Sequence, residues 1–157
     1  MPKVTPWLWF DTESEQAAEL YTSVFPNSRI LEVTRYGSAG PREEGLAMTV
    51  SFDLDGQRVC ALNGGSDFKH SEAFSFQIDC DDQDEVDYYW EKLGEGGEHG
   101  PCGWLKDRFG LSWQVVPKQL PELLADPDRE KAQRVMAAML KMGKIEVDEL
   151  EQAAVSA

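Results

Sequence analysis

Alternating apolar and polar positions open the chain and predict a βαβββ unit, module one, over about residues 4–66. Strands are predicted where alternation or β-branched and aromatic residues dominate, at residues 4–10, 29–36, 46–54 and 59–62. Asp55-Gly56 is a two-residue hairpin signal that joins the last two of these strands.

A helical spacing of apolar residues separates the first two strands, through Ala17, Leu20, Tyr21 and Val24. Thr12 and Glu15 form a capping box, which predicts Thr12 as the N-cap of this helix. Pro26-Asn27 predicts its end.

The same order of elements begins again in module two, over about residues 72–117. Strands are predicted at residues 73–80, 104–107 and 111–116, with a turn at residues 107–110. A helix with Asp82 as N-cap follows the first of them and ends at Gly94. The repeated order indicates two tandem modules within one domain of residues 1–157.

After Pro117 the spacing of apolar residues becomes helical, which predicts C-terminal helices over about residues 119–155. Asp126 is the predicted N-cap of one helix, with Pro127 at its first position, and Asp148 caps a last helix. The stripe of Ala132, Val135, Met136 and Met139 indicates a helix packed on the domain or on a partner subunit rather than a methionine-lined cofactor box.

The charge balance excludes several partners. With 29 acidic and 15 basic residues the formal net charge is −14, so nucleic acids and anionic membranes would be repelled. No apolar run resembles a signal peptide or a membrane span. Three widely spaced cysteines, Cys60, Cys80 and Cys102, form no disulfide framework, and we expect a cytoplasmic location.

Several motifs carry a family resemblance: residues 7–11 (WLWFD), 102–104 (CGW), 107–114 (DRFGLSWQ) and 144–147 (KIEV). Over about residues 4–153 the chain resembles PhnB-like proteins, also labelled 3-demethylubiquinone-9 3-methyltransferase-like, of the vicinal-oxygen-chelate superfamily. That superfamily includes glyoxalase, bleomycin-resistance proteins and dihydroxybiphenyl dioxygenase. The resemblance implies an α+β fold in which two βαβββ modules form a curved eight-strand sheet around a pocket, and a homodimer.

The resemblance also implies where metal-dependent relatives hold their ion. The corresponding positions here are Thr5, Ala73, Cys60 and Gln114. These side chains are poor ligands for a divalent ion, so we predict no catalytic metal. We predict no cofactor either, because the glycine-rich residues 94–97 follow a helix and not the strand that an S-adenosylmethionine site requires.

The residues of a ligand pocket follow from strand alternation and the resemblance together. Thr5, Trp7 and Trp9 share one strand face, and Ser75 and Gln77 share another. We predict a pocket for a small organic molecule, lined by Thr5, Trp7, Trp9, Cys60, Ser75, Gln77, Trp104 and Gln114. The alternative is that the tryptophans are core, which we favour for Trp113 and leave open for Trp9.

Cys102 and His70 are the candidates for catalysis, as a nucleophile and as a general base. The structural alternatives, a buried thiol and a solvated loop histidine, are favoured for both. Metal-independent ligand binding is therefore the leading hypothesis. A lyase or transferase using Cys102, Gln114 or His70, and a dimeric drug-sequestering protein, are the alternatives.

Overall fold

The computed structural model of the chain describes residues 2–156. It divides into two compact units, the first ending at His70 and the second beginning at Ser71. Each has a four-stranded sheet and the order strand, helix, three strands, which confirms the α+β fold of two βαβββ modules. No helix among residues 2–156 is long and apolar enough to cross a membrane.

Module one contains β1 (Trp7–Phe10), α1 (Ser14–Val24), β2 (Arg29–Arg35), β3 (Ala47–Leu54) and β4 (Gln57–Asn63). The strand order is β1-β4-β3-β2, with β1 parallel to β4 and the other pairs antiparallel. The predicted hairpin at Asp55-Gly56 is confirmed, since both residues have positive φ angles, 47° and 84°, as this type of turn requires.

One surface of this sheet packs against α1 and forms the core of module one. Alternate strand residues are buried there, in keeping with the period of two along a strand. Tyr21 of α1 lies against Phe52 of β3, with ring centroids 6.4 Å apart. Other core residues of the strands include Leu8, Phe10, Val50, Val59 and Ala61.

The predicted capping box of α1 is wrong. The helix begins at Ser14 and has no side-chain cap from its own N-cap residue, Glu13. Instead the buried Asn63, at the end of β4, accepts a hydrogen bond from Ser14 N through Oδ1 at 2.9 Å. Glu15 forms an ion pair with Arg35 at 2.9 Å. A strand residue distant in sequence thus satisfies the helix terminus, which a local motif cannot reveal.

Module two contains β5 (Ser75–Cys80), α2 (Gln83–Gly94), β6 (Glu98–His99), β7 (Trp104–Lys106) and β8 (Ser112–Pro117), in sheet order β5-β8-β7-β6. The predicted N-cap Asp82 is confirmed, because its side chain accepts from Glu85 N. Strand β6 was not predicted; two residues beside Gly96 and Gly97 are too few to show a period.

Helices α3 (Gln119–Leu124), α4 (Arg129–Met139) and α5 (Val147–Val155) form the C-terminal extension. Two predicted caps are wrong. The N-cap of α4 is Asp128, because Asp126 Oδ1 accepts from Asp128 N and closes a turn before the helix. The N-cap of α5 is Glu146, and Asp148 lies inside the helix.

The extension has its own apolar cluster within the second unit. Val135 of the predicted methionine-rich stripe is fully buried in it, and Met139 packs against it. Val116 of β8 packs against the same cluster, so the predicted packing of this helix on the domain is confirmed. The buried members are Leu120, Val135, Met142, Ile145, Leu150 and Ala154.

Candidate functional site

The surface of the first sheet that faces away from its core, here the module-one face, carries aromatic and small polar side chains. Trp7 lies directly opposite Cys60, and Trp9 opposite Leu62. Trp7 is 53% exposed, whereas the intervening Leu8 is 3% exposed. The predicted alternation of β1 is therefore confirmed. Next along this face come Ser51 and Thr49 of β3, with Thr34 of β2.

Trp9 is fixed in place on this face. Its indole Nε1 donates to Gly65 O at 2.9 Å, and its ring meets Phe68 edge to face with centroids 4.9 Å apart. A Cβ at Gly64 would collide with the same ring, so glycine is required there. Phe68 is 63% exposed. Trp7 and Phe68 therefore present apolar rings to the outside, whereas Trp9 is half-buried scaffold.

Thr5 lies before β1 and lines a groove of about 620 Å³. Asp53 and Arg58 line the same groove and form an ion pair at 3.2 Å. Cys60 is half-buried, and burial raises the pKa of its thiol. His70 lies elsewhere: its ring packs at 5.0 Å against Phe10, on the core side of β1, and it is half-buried.

The corresponding surface of the second sheet, the module-two face, consists of Ser112 and Gln114 on β8 and the residues paired with them on β5 and β7. Gln114 lies opposite Gln77 on β5 and Trp104 on β7. Its Nε2 donates to Ser75 Oγ at 2.9 Å, so a hydrogen bond joins two of the predicted residues. Gln77 bonds Asp79 at 2.8 Å and is exposed.

Ser112 also belongs to the module-two face, and the sequence reasoning missed it. It lies opposite Ser75 on one side and Lys106 on the other. The residue is 1% exposed, and within the described residues its Oγ has no hydrogen-bond partner. The signal available in the sequence was its position two residues before Gln114 on the same strand.

Trp113 points the other way and is 1% exposed, which confirms its predicted place in the core. Its Nε1 donates to the buried Asp107 at 2.8 Å. The same carboxylate accepts from Phe109 N at 2.8 Å and Leu111 N at 3.1 Å. The motif of residues 107–114 is therefore a turn whose carboxylate fixes a core tryptophan, a role that the sequence analysis did not assign to Asp107.

Cys102 contacts the C-terminal extension. Its backbone N donates to Met142 O at 2.8 Å, and its Sγ lies 3.6 Å from Met139 O. It has a positive φ of 57° and is followed by Gly103 at 83°. The described contacts of Cys102 are those of a loop that anchors the extension.

Strand register corrects one assignment. Trp7 pairs with Cys60 and Gln77 with Gln114, so the predicted equivalence of Cys60 and Gln114 makes Thr5 correspond to Ser75 and not to Ala73, which is exposed before β5. The four equivalent positions are Thr5, Cys60, Ser75 and Gln114. Among the residues that the structure describes, no group of three or more His, Cys, Asp or Glu residues is placed to hold a metal ion.

Paired βαβββ modules define the class of protein: this is the fold of the vicinal-oxygen-chelate superfamily. Within it, the chain belongs to the PhnB-like family described as 3-demethylubiquinone-9 3-methyltransferase, whose model matches residues 2–116. The predicted resemblance is thereby confirmed, although the match ends before the extension that the sequence analysis included.

Solved structures agree with this assignment. A PhnB protein from Bacillus cereus is 30% identical, with a TM-score of 0.68, over 74% of this chain and 99% of that one. Protein PA1353 from Pseudomonas aeruginosa is 17% identical, with a TM-score of 0.63, over 74% and 98%. A mutant of the fosfomycin resistance protein FosX from Listeria monocytogenes, complexed with Mn(II) and 1S,2S-dihydroxypropylphosphonic acid, is 20% identical with a TM-score of 0.51, over 73% and 92%. The last two show the fold alone. No curated protein matches the chain.

Proposed function

We propose that this PhnB-like protein binds a small organic ligand without a catalytic metal. The observation that carries this proposal is the hydrogen bond from Gln114 Nε2 to Ser75 Oγ. At the position where the resemblance implies a metal-binding carboxylate, this chain has a neutral amide that donates to a hydroxyl. A carboxylamide and an alcohol are suited to a neutral organic group and hold divalent cations weakly.

The other equivalent positions support the same conclusion. Thr5 supplies a second hydroxyl, and Cys60 supplies a thiol whose pKa is raised by burial, so it keeps its proton at neutral pH. None of the four side chains is a carboxylate or an imidazole. The Mn(II) in the FosX complex belongs to that protein, and the residues here do not reproduce a donor set for such an ion.

Exposed aromatic side chains of module one are a further feature suited to an organic ligand. Trp7 and Phe68 are exposed beside the fixed Trp9, which is unusual for side chains of this size. Flat apolar rings bind planar groups by stacking and by area burial. Aromatic walls with a few neutral polar groups are typical of sites for small organic molecules.

The test combines native mass spectrometry with elemental analysis of the purified protein. We expect a retained organic molecule and no stoichiometric divalent metal. Zinc, nickel, manganese or iron at one ion per chain would contradict the proposal. Gln114→Ala should lose the retained molecule, whereas the control Gln152→Ala, on exposed α5 surface, should keep it. The same spectra report the oligomer, and so test the predicted homodimer and the alternative of a drug-sequestering dimer.

A further inference from the structure

Ser112 places a buried hydroxyl on the module-two face. Ser112 is 1% exposed, and its Oγ makes no hydrogen bond within the described residues. A buried hydroxyl without a partner destabilises a fold, and beside the polar Ser75 and Gln114 this one is available to donate to a bound group. By strand alternation it projects from the same surface as Gln114.

Ser75, directly opposite Ser112, also has unused hydrogen-bonding capacity. Its Oγ accepts from Gln114 Nε2, which leaves the hydroxyl proton of Ser75 available as a donor. Two adjacent serines on paired strands can therefore both donate, and Gln114 holds the first of them in position. One acceptor oxygen on a ligand satisfies both hydroxyls.

The charges around this pair disfavour an anion. Lys106, opposite Ser112 on β7, is the neighbouring cation, and it forms an ion pair with Glu72 at 2.5 Å. That partner raises the pKa of Lys106, and Lys106 in turn lowers the pKa of Glu72. Asp79 lies two residues beyond Gln77 on β5, and the chain as a whole carries a formal net charge of −14.

We infer that Ser75 and Ser112 together donate to the carbonyl oxygen of an uncharged ligand, such as an amide, ester or ketone. This rests on the proposed ligand-binding function and adds the chemical class of the group recognised. Neutral donors satisfy a carbonyl oxygen, whereas a carboxylate or phosphate would need a cation that is not already paired.

Ser112 is 1% exposed, so a ligand reaches its hydroxyl only if a neighbouring group moves. The Lys106 and Glu72 side chains are 41% and 61% exposed, and exposed ion pairs of this kind are weak. We expect displacement of the long Lys106 side chain, opposite Ser112 on β7, to give a ligand access to this hydroxyl. Ser75 and Gln114 are half-buried.

Benzamide and benzoate are suitable probes, because they share a ring and differ in charge at the carbonyl. In NMR titrations of the full chain, we expect benzamide to shift the backbone amides of residues 75, 112 and 114, and benzoate to bind at least about tenfold more weakly. Equal or tighter binding of benzoate would overturn the inference while leaving the proposed ligand binding intact. Absence of any benzamide shift at these residues would also overturn it, and the retained-ligand experiment then decides the proposed function separately.

Two variants separate recognition from folding. Ser112→Ala should weaken benzamide binding about five- to tenfold and leave the melting temperature unchanged or raised, because the hydroxyl has no partner to lose. Ser14→Ala is the matched control: its hydroxyl is equally buried and without a partner within residues 2–156, but it lies in α1, so binding should not change. Lys106→Ala should preserve or strengthen benzamide binding; a loss would mean that Lys106, and not the serine pair, holds the carbonyl oxygen and would overturn the inference. Unchanged binding by Ser112→Ala would refute the assignment.

Discussion

Gln83, the first residue of α2, accepts a hydrogen bond from the backbone N of Val147, the first residue of α5, at 2.7 Å. The same side chain donates to Ile145 O at 3.0 Å. One amide therefore satisfies an otherwise orphaned N–H at the start of α5 and the carbonyl just before it. Lys144 adds an ion pair to Asp87 at 2.8 Å. These contacts join the extension to the helix of module two.

Replacement of Gln83 by Ala should loosen α5. Three part-buried hydrogen bonds are lost, those to Val147, Ile145 and Asp87, and we expect the free energy of unfolding to fall by about 1–3 kcal/mol. Hydrogen exchange should accelerate first in residues 145–155. The control is Gln119→Ala, whose side chain has only a long contact of 3.4 Å to Asp81 O and should change stability little. Equal effects of the two variants would argue against a role of Gln83 in holding α5.

Asn63→Ala should destabilise module one because Asn63 bonds two other segments. Its Oδ1 caps α1 at Ser14 N, and its Nδ2 donates to Ala47 O at 2.9 Å. We expect a loss of about 2–4 kcal/mol in urea unfolding, since both partners are left buried without a bond. Thr12→Ala, at the cap position that the sequence suggested, should stay within about 0.5 kcal/mol of the parent. A larger loss of stability in Thr12→Ala than in Asn63→Ala would instead support the local capping box.

Asp107→Ala should be among the most damaging single changes in module two. It removes three hydrogen bonds and leaves the indole N–H of Trp113 buried without its acceptor. We expect a loss of about 3–5 kcal/mol, read from thermal or urea unfolding followed by tryptophan fluorescence. Arg108→Ala in the same turn is the control, because Arg108 is exposed, and should cost less than about 0.5 kcal/mol.

Gly103→Ala and Gly110→Ala separate steric collision from backbone strain. Both glycines have positive φ angles, 83° and 87°. A Cβ at Gly103 would lie 2.8 Å from Val115 O, whereas one at Gly110 meets nothing within 4 Å. We expect about 1 kcal/mol of destabilisation at Gly110, from the backbone conformation alone, and at least about 2 kcal/mol at Gly103. Equal losses of stability in the two variants would show that β8, which carries Val115, moves away from the added Cβ.

Cys80 should resist alkylation in the folded protein. It is fully buried, and burial raises the pKa of its thiol from 9.0 to about 12. At pH 8 iodoacetamide should modify the half-buried Cys60 and Cys102 before Cys80, and all three in urea, as measured by peptide mass spectrometry. Above about pH 9 only the unfolded chain releases this proton, so stability should fall as the pH rises towards 12. A Cys80→Ala variant should lose that part of the pH dependence.

The sequence predicts the modules well because their signals are local. Period-two burial of β1, the Asp55-Gly56 turn and the Asp82 cap each depend on residues close together in the chain. The cap of α4 was misplaced by two residues because the Asp126 side chain closes a local turn before Asp128. The caps of α1 and α5 were wrong because their partners are distant in the chain. The acceptor for Ser14 is Asn63, and the acceptor for Val147 is Gln83, so both are set by tertiary contacts.

The candidate site was predictable only in part. Alternation placed Trp7, Ser75 and Gln114 correctly on their strand faces. Ser112 was missed because a small polar residue between Leu111 and Trp113 resembles an ordinary core strand position, and only the structure shows that its hydroxyl has no partner within the described residues. The shift from Ala73 to Ser75 likewise required the strand register.

The Asp107 turn has a consequence for how relatives of this protein are judged. In residues 107–114, the most distinctive motif of the chain, the Asp107 carboxylate accepts from Phe109 N in the turn and from the indole of Trp113. Both contacts lie inside the second module. Two proteins that share this motif therefore share a feature of the fold, and this does not imply that they bind the same ligand. Similarity in ligand binding is instead indicated by the residues at positions 75, 112 and 114. The side chains of Ser75, Ser112 and Gln114 lie on the other side of the same sheet.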